Sequence, residues 1–327
     1  MPAAKARRGA RLALLALALA GGGAAVVGGA ATGGGTGRGA PGLAAAGGPQ
    51  PISPVPALPP SDPAKVALGE MLFADPRLSG DGARSCAACH DLGSNGAGAT
   101  ARDADPEGRP LPLNTPTVFN AALSFRLNWE GGMRDLREHA AASLESPAVM
   151  GTSPGAAAAR LAADPAMADR FRAVYGRGPD ADALVDALAA FEATLLTPGA
   201  RFDRWLLGEA DALSPLERRG YALFRSVGCI SCHQGVGVGG NLFQRHGVFA
   251  PLASPHPAVV RVPSLRNVAA TAPYFHDGGA ATLPEAVRRM ARSQLGAALR
   301  DEDVAAIVAW LGTLTGRWRG RPVEAPR

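Results

Sequence analysis

The feature that most constrains this 327-residue chain is a repeated pentad, Cys86-Ala-Ala-Cys89-His90 and Cys229-Ile-Ser-Cys232-His233. C-x-x-C-H is the spacing at which haem c is attached covalently: two thiols add across the vinyl groups and the adjacent histidine meets the iron. Zinc is the first competitor. It takes four ligands, so a shared site would leave two of the six side chains idle and the repeated order without a reason. A redox dithiol belongs in a βαβ setting, and the chain has no run of β-branched residues to build one. Two structural disulfides would occupy the cysteines but not the histidines that follow them. Two haem c groups account for all six residues.

The apolar spacing between and after the pentads is helical. Leu184, Leu188, Phe191 and Leu195 fall on one stripe, and Val304, Ile307, Val308 and Leu311 on another. "TLPEAVRRM" opens with Thr282 three residues before Glu285 and a proline in the first turn, which predicts a capped helix carrying Met290. Long Gly- and Pro-rich loops follow each pentad. The expected fold is mainly α: two cytochrome c-like domains, each wrapping one haem that supplies much of the core. The pentads divide the chain into an N-terminal domain at 61–210, a C-terminal domain at 211–318 and a tail at 319–327.

Residues 1–30 combine a basic start with a short Leu/Ala run and read as a signal peptide, with a membrane anchor as the less favoured alternative. Residues 31–60 read as a flexible Gly/Ala/Pro leader. Export to the periplasm follows. The net charge of +5 comes from Lys5, Arg7, Arg8, Arg11 and Arg38 in an acid-free N-terminus, so the body is near neutral and no nucleic-acid partner is implied.

Four longer stretches carry a resemblance: "LGEMLFADPRLSGDGARSCAACH", "LNTPTVFNAALSFRLNWEGG", "FEATLLTPGARFDRWLLGE" and "VPSLRNVAATAPYFHDGGAATLPEAVRRMARSQLG". Together they resemble the bacterial di-haem cytochrome c peroxidase/MauG family, from about residue 64 to 316. The resemblance implies that the C-terminal haem accepts electrons and the N-terminal haem reacts with hydrogen peroxide. It implies Met290 as the distal iron ligand of the C-terminal haem, where MauG-type members carry a tyrosine. It implies Trp129 as an electron relay between the haems, and Asn114, Thr271 and Pro273 as ligands of a calcium ion. A small cytochrome c or cupredoxin donor and a homodimer are implied as partners.

The pattern fails around the N-terminal haem. Many members carry a distal histidine in the loop after the first pentad, but residues 91–113 contain none, so that iron is expected to be five-coordinate or water-bound at rest. In "LREHAAASLESPAVMG" the family's glutamine position is His139 and its proton-transferring glutamate position is Val149. Valine moves no proton, and a positioned acid–base group is worth about 10²–10⁴ in rate. His139 is the leading substitute, and Glu145, four residues before Val149, the weaker one. His246 and His256 read as solvated loop residues, and His276 as a hydrogen-bonded structural imidazole. Three activities fit: a peroxidase, a MauG-like oxidase of a partner protein, or a non-catalytic di-haem electron carrier or redox sensor.

Overall fold

The computed structural model describes residues 50–326. The expected signal peptide and the first part of the leader lie outside them. The order is α1 (Pro63–Phe73), α2 (Cys86–Cys89), α3 (Leu136–Glu145), α4 (Pro154–Ala162), α5 (Pro165–Tyr175), α6 (Ala181–Glu192), α7 (Arg201–Leu206) and α8 (Pro215–Ser226). A short antiparallel hairpin, β1 (Phe243–Arg245) and β2 (Val259–Arg261), precedes α9 (Leu283–Leu295) and α10 (Asp301–Gly312). A second hairpin, β3 (Arg317–Trp318) and β4 (Arg321–Pro322), ends the chain. The architecture is mainly helical with two cytochrome c-like domains, and the sheets are minor.

Short side chains start most helices. Asp62, Ser153, Asp164 and Ser214 each cap a helix with proline in its first turn, satisfying amide donors the helix cannot pair itself. The reciprocal capping box is at Ser214 and Glu217. At α9, Thr282 accepts from the Glu285 amide, but the Glu285 carboxylate accepts from Ala281, one residue before the cap.

Two apolar cores result. The first packs α1, α3, α4, α5 and α6, with Leu72, Phe171, Leu184 and Phe191 fully buried. The second packs α7, α8 and α10 through Phe202, Tyr221, Phe224 and Trp310. Each core is closed by one glycine crossing. A Cβ on Gly69 would lie 2.0 Å from the Ala187 carbonyl oxygen, and one on Gly220 would lie 1.9 Å from that of Ala306. Only glycine lets α1 meet α6, and α8 meet α10, so closely.

The same local structure recurs in both halves. Asn120 and Asn267 adopt identical dihedrals (φ 61, ψ 13) ahead of 3-10 turns. Their amides donate to one shared hydroxyl, Thr197 Oγ1, at 2.7 and 3.0 Å. The isolated bridges Leu127–Met133 and Tyr274–Ala280 frame equivalent loops, which carry Trp129 and His276 at matching positions.

The packing corrects two expectations about the ends. The leader is not free up to residue 60: Ile52 is buried in the second core, and Val55 donates its amide to Asp203 at 3.2 Å. Ile52 and Val55 are both buried, and burial of each is worth about 2 kcal/mol. Nor do residues 319–323 of the expected 319–327 tail hang loose, since Val323 packs into the first core and Arg319 makes a two-pronged ion pair with Glu70. Phe202 and Trp205, assigned by sequence to the N-terminal side of residue 210, pack in the second core.

Candidate functional site

Each pentad forms one tight turn. The His90 amide donates to the Cys86 carbonyl at 2.9 Å, and that of His233 to Cys229 at 3.0 Å. The turn swings each histidine away from its cysteines. His90 Nδ1 lies 2.9 Å from the Gly96 carbonyl oxygen and His233 Nδ1 lies 3.3 Å from that of Val238. A carbonyl only accepts, so Nδ1 carries the proton in both rings and Nε2 keeps its lone pair for a metal. Burial pushes His233 down to about 4, and His90 is lowered for the same principal reason. Each ring also has an aromatic neighbour at matching distance: Phe73 at 6.5 Å from His90, Phe224 at 6.3 Å from His233.

The thiols fit the same group. All four cysteines are free. Burial pushes Cys86 up to about 12 and Cys229 up to about 11. A dithiol oxidoreductase needs the opposite shift, because its nucleophile is the thiolate. Cys86 packs against the first core and Cys229 against the second, so the pentads serve separate sites, as two covalent haems require and a shared zinc site does not.

Met290 sits on α9, four residues after buried Ala286 and three after Val287, on the face turned to the second core. It is half-buried and is not among the apolar side chains packed into either core among the described residues.

Trp129 is tied to both halves. Its Nε1 donates to the Asn114 carbonyl at 2.7 Å, its own carbonyl accepts from the Arg261 amide at 2.8 Å, and its ring meets His276 edge-on at 6.1 Å. Asn114 is buried. Its amide nitrogen donates to the carbonyls of Thr100 and Ala101, and its backbone amide to that of His276. These contacts bring Asn114 beside the 271–276 segment that contains Thr271 and Pro273. His276 donates to the Ser254 carbonyl and His246 to that of Pro257, with their rings 4.7 Å apart. His246 therefore belongs to an organised cluster and is not a freely solvated loop residue.

His139 lies in the middle of α3, half-buried, with no side-chain hydrogen bond among the described residues. Loss of solvent, then the charges of His90 and Arg261, push its imidazole down to about 4. Glu145 is not brought to it. The glutamate ends α3 on an exposed surface, six residues on, which is about 240° around the helix. Val149 is 37% exposed beside buried Met150. Neither residue replaces the missing carboxylate.

Three charged residues near the pentads escape a motif-based reading. Glu192, at the last position of α6, is pushed up to about 8 by burial, and its charge acts on Cys86. Asp103 Oδ2 is buried without a partner among the described residues, and its charge acts on Cys89 and His90. Arg261 is buried on β2. The available signal is a lone charge inside an apolar run, "ALAAFEATLL" for Glu192 and "AVVRVP" for Arg261.

Comparison with known proteins agrees with this geometry. The family model described as di-haem cytochrome c peroxidase matches residues 63–211, and that for cytochrome c matches 217–315. The chain is 40% identical over 282 residues to cytochrome c551 peroxidase of Nitrosomonas europaea, covering 82% of this chain and 84% of the relative. It is 36% identical over 246 residues to the methylamine utilization protein MauG of Methylorubrum extorquens, covering 69% and 68%. Among solved structures, a MauG-like protein associated with microbial copper homeostasis superposes with a TM-score of 0.71 at 27% identity, over 83% of this chain and 95% of that one.

Proposed function

This chain belongs to the di-haem cytochrome c peroxidase family and is a peroxidase-like oxidoreductase, and from that premise we propose its reaction: hydrogen peroxide, two protons and two electrons from a small redox protein give two waters. Bound at the two pentads, the haems supply one-electron transfer at the C-terminal site and cleavage of the O–O bond at the N-terminal site. Cys86 and Cys89, and Cys229 and Cys232, hold them covalently. His90 and His233 present Nε2 to the irons, and Met290 offers a thioether, a ligand suited to high-potential electron transfer. Trp129 stands at the junction of the two halves, a conjugated ring fixed by hydrogen bonds at both its indole and its backbone.

The observation that carries this reading is His139, a neutral imidazole within electrostatic reach of His90 and without a side-chain hydrogen bond among the described residues. Its unprotonated nitrogen takes a proton from one peroxide oxygen and returns it to the other, the work that valine at 149 does not do. Asn114, Thr271 and Pro273 hold a calcium ion through oxygen ligands, which fixes the Trp129 loop. The donor is a small cytochrome c or cupredoxin, and the setting is the periplasm.

A second reading, a di-haem electron carrier without peroxidase activity, is favoured by Val149. Stopped-flow mixing with hydrogen peroxide, with and without reduced donor, separates them. Rapid donor turnover supports the peroxidase. A long-lived oxidised state without turnover indicates oxidation of a partner protein, and absence of reaction indicates the carrier.

A further inference from the structure

Arg261 is 8% exposed and makes no salt bridge among the described residues. The contrast with Arg266, five residues on, is direct: that guanidinium is buried too, but Asp203 meets it at 2.6 Å. Arg261 instead spends Nε on the Asn128 carbonyl at 3.0 Å and Nη1 on Ser124 Oγ at 3.4 Å, both neutral acceptors, and Nη2 has no hydrogen-bond partner among the described residues. Its backbone is fixed as well, by its pairing with Phe243 and by its amide bond to the Trp129 carbonyl. Arginine does not escape burial by losing its proton, so a buried guanidinium needs an anion. The described residues provide none here.

The hairpin that carries Arg261 runs along the second pentad. Gln244 of β1 places Nε2 3.9 Å from Cys232 Sγ. A Cβ on Gly239 would lie 3.4 Å from His233 Nδ1, and one on its neighbour Gly240 3.7 Å from Arg261 Nη1. One peptide unit thus links the proximal histidine of the C-terminal site to the unpartnered cation. The anion that a haem c brings to such a place is a propionate.

We infer that Arg261 is the positioning residue for a propionate of the C-terminal haem, neutralising that carboxylate at the junction where Trp129 joins the two halves. The ion pair fixes the edge of the haem against the Trp129 loop. By cancelling a negative charge near the iron, it raises that haem's potential. The inference rests on haem attachment at Cys229 and Cys232 and not on the direction of electron flow or on peroxidase activity.

The test is spectropotentiometry of the holoprotein with Arg261→Gln and Arg261→Lys, after pyridine haemochrome assay has counted two haems per chain. In the glutamine variant the midpoint of the C-terminal haem falls, and falls by more than that of the other haem. In the lysine variant it stays near the wild-type value. Unchanged midpoints, or a larger shift at the N-terminal haem, overturn the assignment. If the glutamine variant does not mature, redox-difference infrared spectra of the lysine variant with ¹³C-labelled propionates decide. A carboxylate band displaced from its wild-type position supports the pair, and a coincident band refutes it.

Discussion

His139 makes the sharpest prediction because its environment sets a number. The imidazole is pushed from an ordinary value of 6.5 down to about 4, first by loss of solvent and then by the charges of His90 and Arg261. Loss of solvent, the largest of the three causes, remains when His90 is bound to iron and Arg261 is paired with a propionate, so the lowered direction persists in the holoprotein. The proton-accepting form is neutral, so it persists as pH falls until the folded value of about 4 is reached. At pH 5 an unperturbed imidazole would be about 3% neutral, whereas one with a pKa of about 4 is about 90% neutral, a difference of roughly 30-fold. The second-order rate of reaction with hydrogen peroxide should therefore hold nearly level from pH 7 to pH 5 and halve near pH 4. Stopped-flow measurement of the haem absorbance reads this directly, without a donor whose own titration would intrude. His139→Ala should lower the rate at pH 7 by about 10²–10⁴ and abolish the acid limb. A limb centred near 6.5 would refute the burial argument, and a His139→Ala rate equal to wild type would remove His139 from the mechanism.

Three further outcomes follow from buried polar groups. Glu192 is raised from 4.5 to about 8 by burial, so folded-state stability is complete below pH 4.5 and is lost as pH rises to 8, by up to about 5 kcal/mol. Guanidinium denaturation at pH 5.5 and pH 9 should show Glu192→Gln gaining on wild type by more at the higher pH, and an equal gain at both would count against a protonated carboxyl. Thr197→Val withdraws the acceptor shared by Asn120 and Asn267, costing about 1–3 kcal/mol for each buried amide left unpaired; a change within error in the denaturation midpoint would show that the two amides find other partners. Asp203→Ala strands the Arg266 guanidinium and frees the Val55 amide, costing about 3–5 kcal/mol. Limited proteolysis should then cut near residue 55, and an intact leader would deny that Asp203 anchors it.

What was legible in the sequence, and what was not, divides along the range of the interactions involved. The pentads, the apolar stripes and the α9 start are local patterns set by covalent spacing or helical period; the second stripe lies wholly in α10, whereas the first leaves α6 at Glu192, with Leu195 buried just beyond it. Ile52 and Val323 were missed because each meets its core only through the tertiary fold, far along the chain. The Thr197 hydroxyl that ties together residues 120 and 267 has no local signature either. The distal pocket is the instructive intermediate. Motif comparison identified Val149 and nominated two substitutes, but only helix phase separates them, keeping His139 half-buried and turning Glu145 outward. Arg261 goes one step further. Its lone positive charge in "AVVRVP" is visible in the sequence, yet the charge becomes a question only when the folded chain is seen to leave it buried without an acid. A motif gives the ligands that the protein offers to a cofactor, whereas an uncompensated buried charge gives what the cofactor must offer in return. The pentads account for the thiols and imidazoles that a haem c would take up, so a buried guanidinium without an acid is where, on our inference, the haem's own carboxylates would enter the energetics of this fold.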